Sequence, residues 1–165
     1  MTTDHSMARL RLSLLGGFRI EEEQRGQVSL TGKRGPAIIA YLARCPGMAA
    51  SREKLADLLW RNSDNDHSRN SLRQALSLLR RDFRQAGVDL IQARNDTIGL
   101  KADAIDIDVD DFEEGLIARS PQELEIALAV YNGPFLDGFY LDGNSFDDWA
   151  LLRAREAADP CHRGV

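Results

Sequence analysis

Asn70, Arg73, Gln74, Ser77, Arg81 and Arg84 recur at intervals of three and four residues, the spacing that brings side chains to one side of a helix. Each type has a task against nucleic acid. Arg fits a guanine edge, Asn and Gln fit an adenine edge, Ser bonds either, and surplus Arg neutralises phosphates. The set carries positive charge and no acid. Arg69 and Arg80 stand beside it. His67 opens the stretch, as a phosphate contact or a solvated imidazole. The plain alternative for the whole set is a solvated face of a surface helix.

The element that must present these side chains is the stretch from Asp66 to Gly87, which has no Pro and no Gly before its end. Leu72, Ala75, Leu76, Leu79 and Phe83 repeat at helical spacing on the other side, predicting an amphipathic helix over 66–86 with that face buried. Upstream, Leu10, Leu12 and Leu14 alternate with Arg9, Arg11 and Ser13, the pattern of a half-buried strand. Gly16-Gly17 signals a turn, Phe18 to Ile20 a return strand, Glu21 to Gly26 a polar loop, and Val28 to Leu30 a third strand. Pro36 fits the first turn of a helix that runs through AIIAYLARC to Pro46-Gly47. Ser51 is the expected N-cap of a second helix, with Glu53 in its first turn. In it Leu55, Ala56, Leu58, Leu59 and Trp60 are read as core.

After Gly87, strands at Asp89–Gln92 and Thr97–Leu100 flank the turn Arg94-Asn95-Asp96, a hairpin signal. Three strands, three helices and a hairpin make a winged helix. Its third helix enters the major groove, and the hairpin places Arg94 on the backbone or in the minor groove. The expected class is α+β, mainly helical.

Beyond Lys101 the character changes. Residues 1–101 carry a net charge of +6 and residues 102–165 a net of −11. Such a split suggests a nucleic-acid-facing half joined to something else. The acidic half reads as helix and loop only. Asp108 is the expected cap of a helix through Ile117. Ser120-Pro121-Gln122-Glu123 starts another, striped by Leu124, Ala127, Leu128 and Tyr131 and stopped at Gly133-Pro134. The loop PFLDGFYLDG holds Phe135, Leu136, Phe139, Tyr140 and Leu141, which implies docking. Ser145 is the expected cap of a last helix with Phe146, Trp149 and Leu152. From Ala157 no helical period remains.

Composition removes other classes of function. No apolar run approaches a membrane span, and MTTDHSMARLRL lacks the apolar core of a signal peptide. Cys45 and Cys161 make no disulfide framework, so the chain reads as cytoplasmic. His5, His67 and His162 are scattered, and Cys161-His162 lacks partners at zinc-ligand spacing. The acids Asp103 to Asp111 miss the Gly and Glu positions of a calcium loop. No phosphate-cradling or nucleophile motif occurs, so neither enzyme activity, metal nor cofactor is expected.

Several stretches together resemble the Streptomyces antibiotic regulatory protein (SARP) family, which joins an OmpR-type winged helix to a bacterial transcriptional activator domain. They are LRLSLLGGF (Leu10–Phe18), AIIAYLA (Ala37–Ala43), SREKLADLLW (Ser51–Trp60), RNSLRQALSLLR (Arg69–Arg80) and, within Ala127–Phe139, YNGPFLDGF. Two features depart from the pattern: Gly35-Pro36 at the first helix, and AADPCHRGV at the end. The resemblance implies a winged-helix domain over 8–101, the start of a truncated TPR-like activator module over 102–156, and a ragged tail over 157–165. It implies a transcriptional activator with double-stranded promoter DNA and RNA polymerase as partners. Self-association through the helical module is expected on a separate ground, since Phe135, Leu136, Phe139, Phe146 and Trp149 are more apolar surface than three short helices bury among themselves, and the composition leaves no membrane partner. The chain is then a fragment, a frameshifted product or a natural short form. The rival expectation is a protein-interaction fragment of a larger signalling regulator that does not bind DNA productively.

Overall fold

The computed structural model describes residues 9–61, 64–118, 120–141 and 145–158. Strands β1 (Leu10–Ser13) and β2 (Arg19–Glu22) pair antiparallel, Leu12 opposite Ile20. Leu10, Leu12 and Leu14 are wholly buried, as alternation requires of a strand with one covered face. Strand β3 (Gly26–Gln27) pairs with β2. The strand expected at Val28–Leu30 therefore lies earlier, and the expected loop from Glu21 is partly strand. The physical reason is Glu22. It is buried and accepts the N–H groups of Gln24 (3.0 Å) and Arg25 (2.6 Å), which makes the turn immediate.

Three helices follow: α1 (Arg34–Arg44), α2 (Arg52–Leu59) and α3 (Asn65–Gln85). Pro36 lies in the first turn of α1, where a missing N–H costs nothing. Residues 35–43 of α1 are all buried, so α1 is the central helix. Ser51 caps α2, its Oγ accepting the Lys54 N–H at 3.1 Å. Trp60 lies at the margin of the core rather than in it. It is half-buried, with the Arg34 guanidinium 5.1 Å from the ring centroid.

A strand that the sequence pattern does not announce, β4 (Ala49–Ser51), pairs with β6 (Thr97–Leu100). Strand β6 forms the hairpin with β5 (Ile91–Arg94), giving the order β4-β6-β5. Ala-Ala-Ser has little strand preference of its own and is extended because β6 offers an edge.

The acidic half is not helix and loop only. Strand β7 (Ile105–Ile107) runs parallel to β1 and completes a sheet of order β3-β2-β1-β7. A boundary drawn at 101/102 thus separates a strand from its own sheet. Then come α4 (Asp108–Ile117), α5 (Pro121–Val130) and α6 (Ser145–Ala158). Asp108 does not take the N-cap position; Ile107 does. Asp108 is buried, and its carboxylate accepts the N–H groups of Leu14 (2.9 Å) and Leu15 (3.0 Å). Burial pushes this carboxyl above its ordinary value, and the backbone N–H groups work the other way. Cations of the first half meet acids of the second nearby: Arg44 with Asp110 and Glu113, Arg11 with Asp111, Arg9 with Asp106.

The aromatic loop docks as expected. Phe135 and Leu136 are buried, Leu136 N–H donates to Leu14 O (2.7 Å), and Gly16 N–H donates to Pro134 O (2.9 Å). Gly16 is needed there. Its φ is +95°, and a Cβ would lie 2.7 Å from Asn132 O. Trp149 of α6 packs edge-on against Tyr41 of α1, with centroids 5.0 Å apart. Two further expectations fail in this half. The α5 stripe is mostly outside, since only Ala127 is buried while Leu124 and Leu128 are exposed. Helix α6 includes Ala157 and Ala158, with Leu152 exposed, so the pattern break at Ala157 comes before the helix ends. Residues 159–165, with Cys161 and His162, lie outside the described residues.

Candidate nucleic-acid interface

Helix α3 spans 21 residues, a rod of about 30 Å. Asp64 caps it, its Oδ1 accepting the His67 N–H at 2.7 Å. At the other end the Arg25 guanidinium donates to Gln85 O at 3.1 Å, a cation at the negative end of the helix dipole. Leu72, Leu76, Leu79 and Phe83 form the buried seam. Asp82 is buried too. Its Oδ2 accepts the Thr31 N–H (2.7 Å) and its Oδ1 the Thr31 hydroxyl (3.3 Å), tying α3 to the segment before α1. That bond keeps its charge off the solvent side.

On the other side His67, Arg69, Asn70, Arg73, Gln74, Ser77 and Arg84 are all exposed. Arg81 is exposed and anchored, donating to Thr31 Oγ1 at 3.1 Å. Arg80 is half-buried. It lines a cleft of about 310 Å³ with Phe83, Arg84, Val88 and Leu90, where α3 meets the start of the hairpin. Arg94 is exposed at the end of β5, on a different element from the rest of the set. Asn95 beside it adopts φ +52°, the left-handed conformation Asn tolerates in a tight turn. The hairpin tip is held to the helices by the Arg52 N–H, which donates to Asp96 O at 2.7 Å. Lys101, the other cation of this region, is engaged with Asp89 at 2.7 Å.

One residue changes the electrostatic description. Asp66, exposed in the first turn, precedes Asn70 by four residues and Arg73 by seven, so it shares their flank. The solvent side of α3 is free of acid only from His67 onward. The spacing of four residues between Asp66 and Asn70 is the sequence signal that places this acid on the face.

No family model matches the chain, and no curated protein matches it. Among solved structures, EmbR of Mycobacterium tuberculosis, in complex with a low-affinity phosphopeptide, is similar over 92% of this chain and 43% of its own, at a TM-score of 0.71 and 20% identity. The fold is a winged helix with a helical extension. The match to EmbR takes in the acidic half as well, because 92% coverage extends past the hairpin. The chain spans less than half the length of EmbR. At this identity the likeness is one of fold.

Proposed function

We propose that the chain is a sequence-specific DNA-binding transcription regulator of the SARP type, an activator without enzymatic activity, working in the cytoplasm. In this reading α3 lies in the major groove of promoter DNA and the β5–β6 hairpin is the wing beside it. The observation that carries the reading is the α3 face, where Asn70, Arg73, Gln74 and Ser77 stand exposed on a rod whose opposite side is locked into the core. Side chains for base edges lie along its middle, and Arg81 and Arg84 continue toward its end for phosphates. The fold likeness to EmbR supports the winged-helix part. The acidic, TPR-like half would meet protein partners, including the transcription machinery or a second copy. No helix of the described residues is long and apolar enough to cross a membrane.

The test is a gel shift on a pool of random duplexes, selected and then titrated over a salt series. Binding should enrich a defined site, and log K should fall linearly with log salt. The variant combining Arg73→Ala, Gln74→Ala, Arg81→Ala and Arg84→Ala should keep its circular dichroism and lose the shift. A folded quadruple variant that still shifts DNA normally would show that α3 is not the reading element. The rival reading is an interaction fragment that binds protein and not DNA. It draws on the −11 charge of the second half and the exposed apolar residues of α5.

A further inference from the structure

Helices α4 and α5 form a tight antiparallel hairpin. Gly115 makes the closeness possible, since a Cβ there would lie 2.4 Å from the Ala127 Cβ. Beside this contact an open groove of about 320 Å³ runs between the helices, lined by Asp111, Glu114, Gly115, Ala118, Glu123 and Ile126. Ala118 and Ile126 supply the apolar part of this lining, and the exposed Glu114 and Glu123 make its rim acidic. Ile126 is 60% exposed although nothing in its chemistry favours water. Asp111 has Arg11 as an ion-pair partner at 3.0 Å. Glu114 and Glu123 have no ion-pair partner among the described residues.

From this juxtaposition we infer that the α4–α5 groove is a docking site for a basic amphipathic segment of another protein. One apolar side chain would cover Ile126, and flanking Lys or Arg side chains would meet Glu114 and Glu123. The charges select this occupant. A second copy offering the same groove would set Glu114 and Glu123 against their own likes, and DNA or an anionic membrane would be repelled by the rim. Helix α5 buries only Ala127, so a cover over Ile126 removes apolar surface that the fold leaves in water. Leu128 is 59% exposed on the opposite flank of α5, two residues from Ile126, and serves as an internal control.

The inference is independent of DNA binding. It is tested with the full chain and two fluorescein-labelled helical peptides that share one Leu stripe, one flanked by Lys and the other by Glu. Fluorescence anisotropy should show binding of the Lys peptide and none of the Glu peptide. Ile126→Asp should weaken the Lys peptide at least about tenfold, the effect expected of a central apolar contact. Glu114→Lys with Glu123→Lys should transfer the preference to the Glu peptide. Leu128→Asp should leave affinity unchanged within about twofold. Equal Lys-peptide binding by all variants would mean attraction by net charge alone and would overturn the site. Sedimentation showing a dimer that Ile126→Asp dissociates, and that the Lys peptide does not compete, would also overturn it by assigning the groove to a second copy.

Discussion

Helices α3 and α5 both lie at the surface and both carry Leu at helical spacing, yet they are opposite objects. In α3 every Leu of the seam is inside, and what faces water after Asp66 and His67 is Arg, Asn, Gln and Ser. In α5 one alanine is inside, and Ile126 and Leu128 face water. The difference lies in the neighbours. Helix α3 leans on α1 and α2 and is tied through Asp82 to Thr31, whereas α5 packs principally on α4. A helix whose apolar side is fully covered can present a polar face as a recognition surface. A helix whose apolar residues remain outside points to a partner that covers them.

The sharpest break in this comparison is a matched pair of truncations. Leu76→Ala on α3 should cost about 2–5 kcal/mol, since a buried Leu leaves a cavity. Leu128→Ala on α5 should stay within about 0.5 kcal/mol in the isolated chain. Urea denaturation followed by circular dichroism measures both, and equal losses would erase the distinction.

Asp108 decides how firmly the α4–α5 hairpin is attached to the rest. Asp108→Ala leaves the Leu14 and Leu15 N–H groups without an acceptor and should cost about 1–3 kcal/mol. Its folded pKa is raised by burial. The associated stability is therefore complete below the ordinary carboxylate value and declines as pH rises through the folded one. Asp108→Asn should flatten that part of the pH–stability curve; an unchanged slope would mean that another group produces it.

On the α3 face the expected losses are in binding rather than folding. Arg73→Ala should cost about 1–3 kcal/mol of DNA affinity and relax one base preference. Arg84→Ala should weaken all sequences alike and lower the salt slope by about one unit. If the two variants behave identically across selected and scrambled duplexes, the division into base-reading and phosphate-binding residues fails. The smallest effect belongs to the wing. Arg94→Glu should reduce affinity severalfold at low salt, on the order of 1 kcal/mol, and the difference should fade at high salt. Unaltered binding at low salt would leave Arg94 as a solvated turn residue.

Periodicity alone was enough for the elements long enough to repeat. The α3 seam, the alternation of Leu10, Leu12 and Leu14, the Ser51 cap and the presence of a hairpin around Asn95 are local consequences of side-chain order, and they stand in the fold. Strand β5 at Ile91–Arg94 nevertheless lies two residues later than the expected Asp89–Gln92, because Arg94 pairs with Thr97 instead of opening the turn. The exposed row from Asn70 to Arg84 followed from the same arithmetic. Tertiary structure decided what three residues cannot announce. Ala49–Ser51 and Ile105–Ile107 are strands because β6 and β1 present open edges to them, and a segment so short has no period of its own. It also decided which apolar residues end inside. Docking was expected of Phe135 and Leu136 and a continuous apolar stripe of Leu124 and Leu128, and only the first pair is buried. The first pair is buried because the loop bonds to Leu14 and Gly16 of a finished sheet, and the second is exposed because α5 has only one wall to lean on. Burial depends on what stands opposite, and that is a property of the assembled chain rather than of the residue.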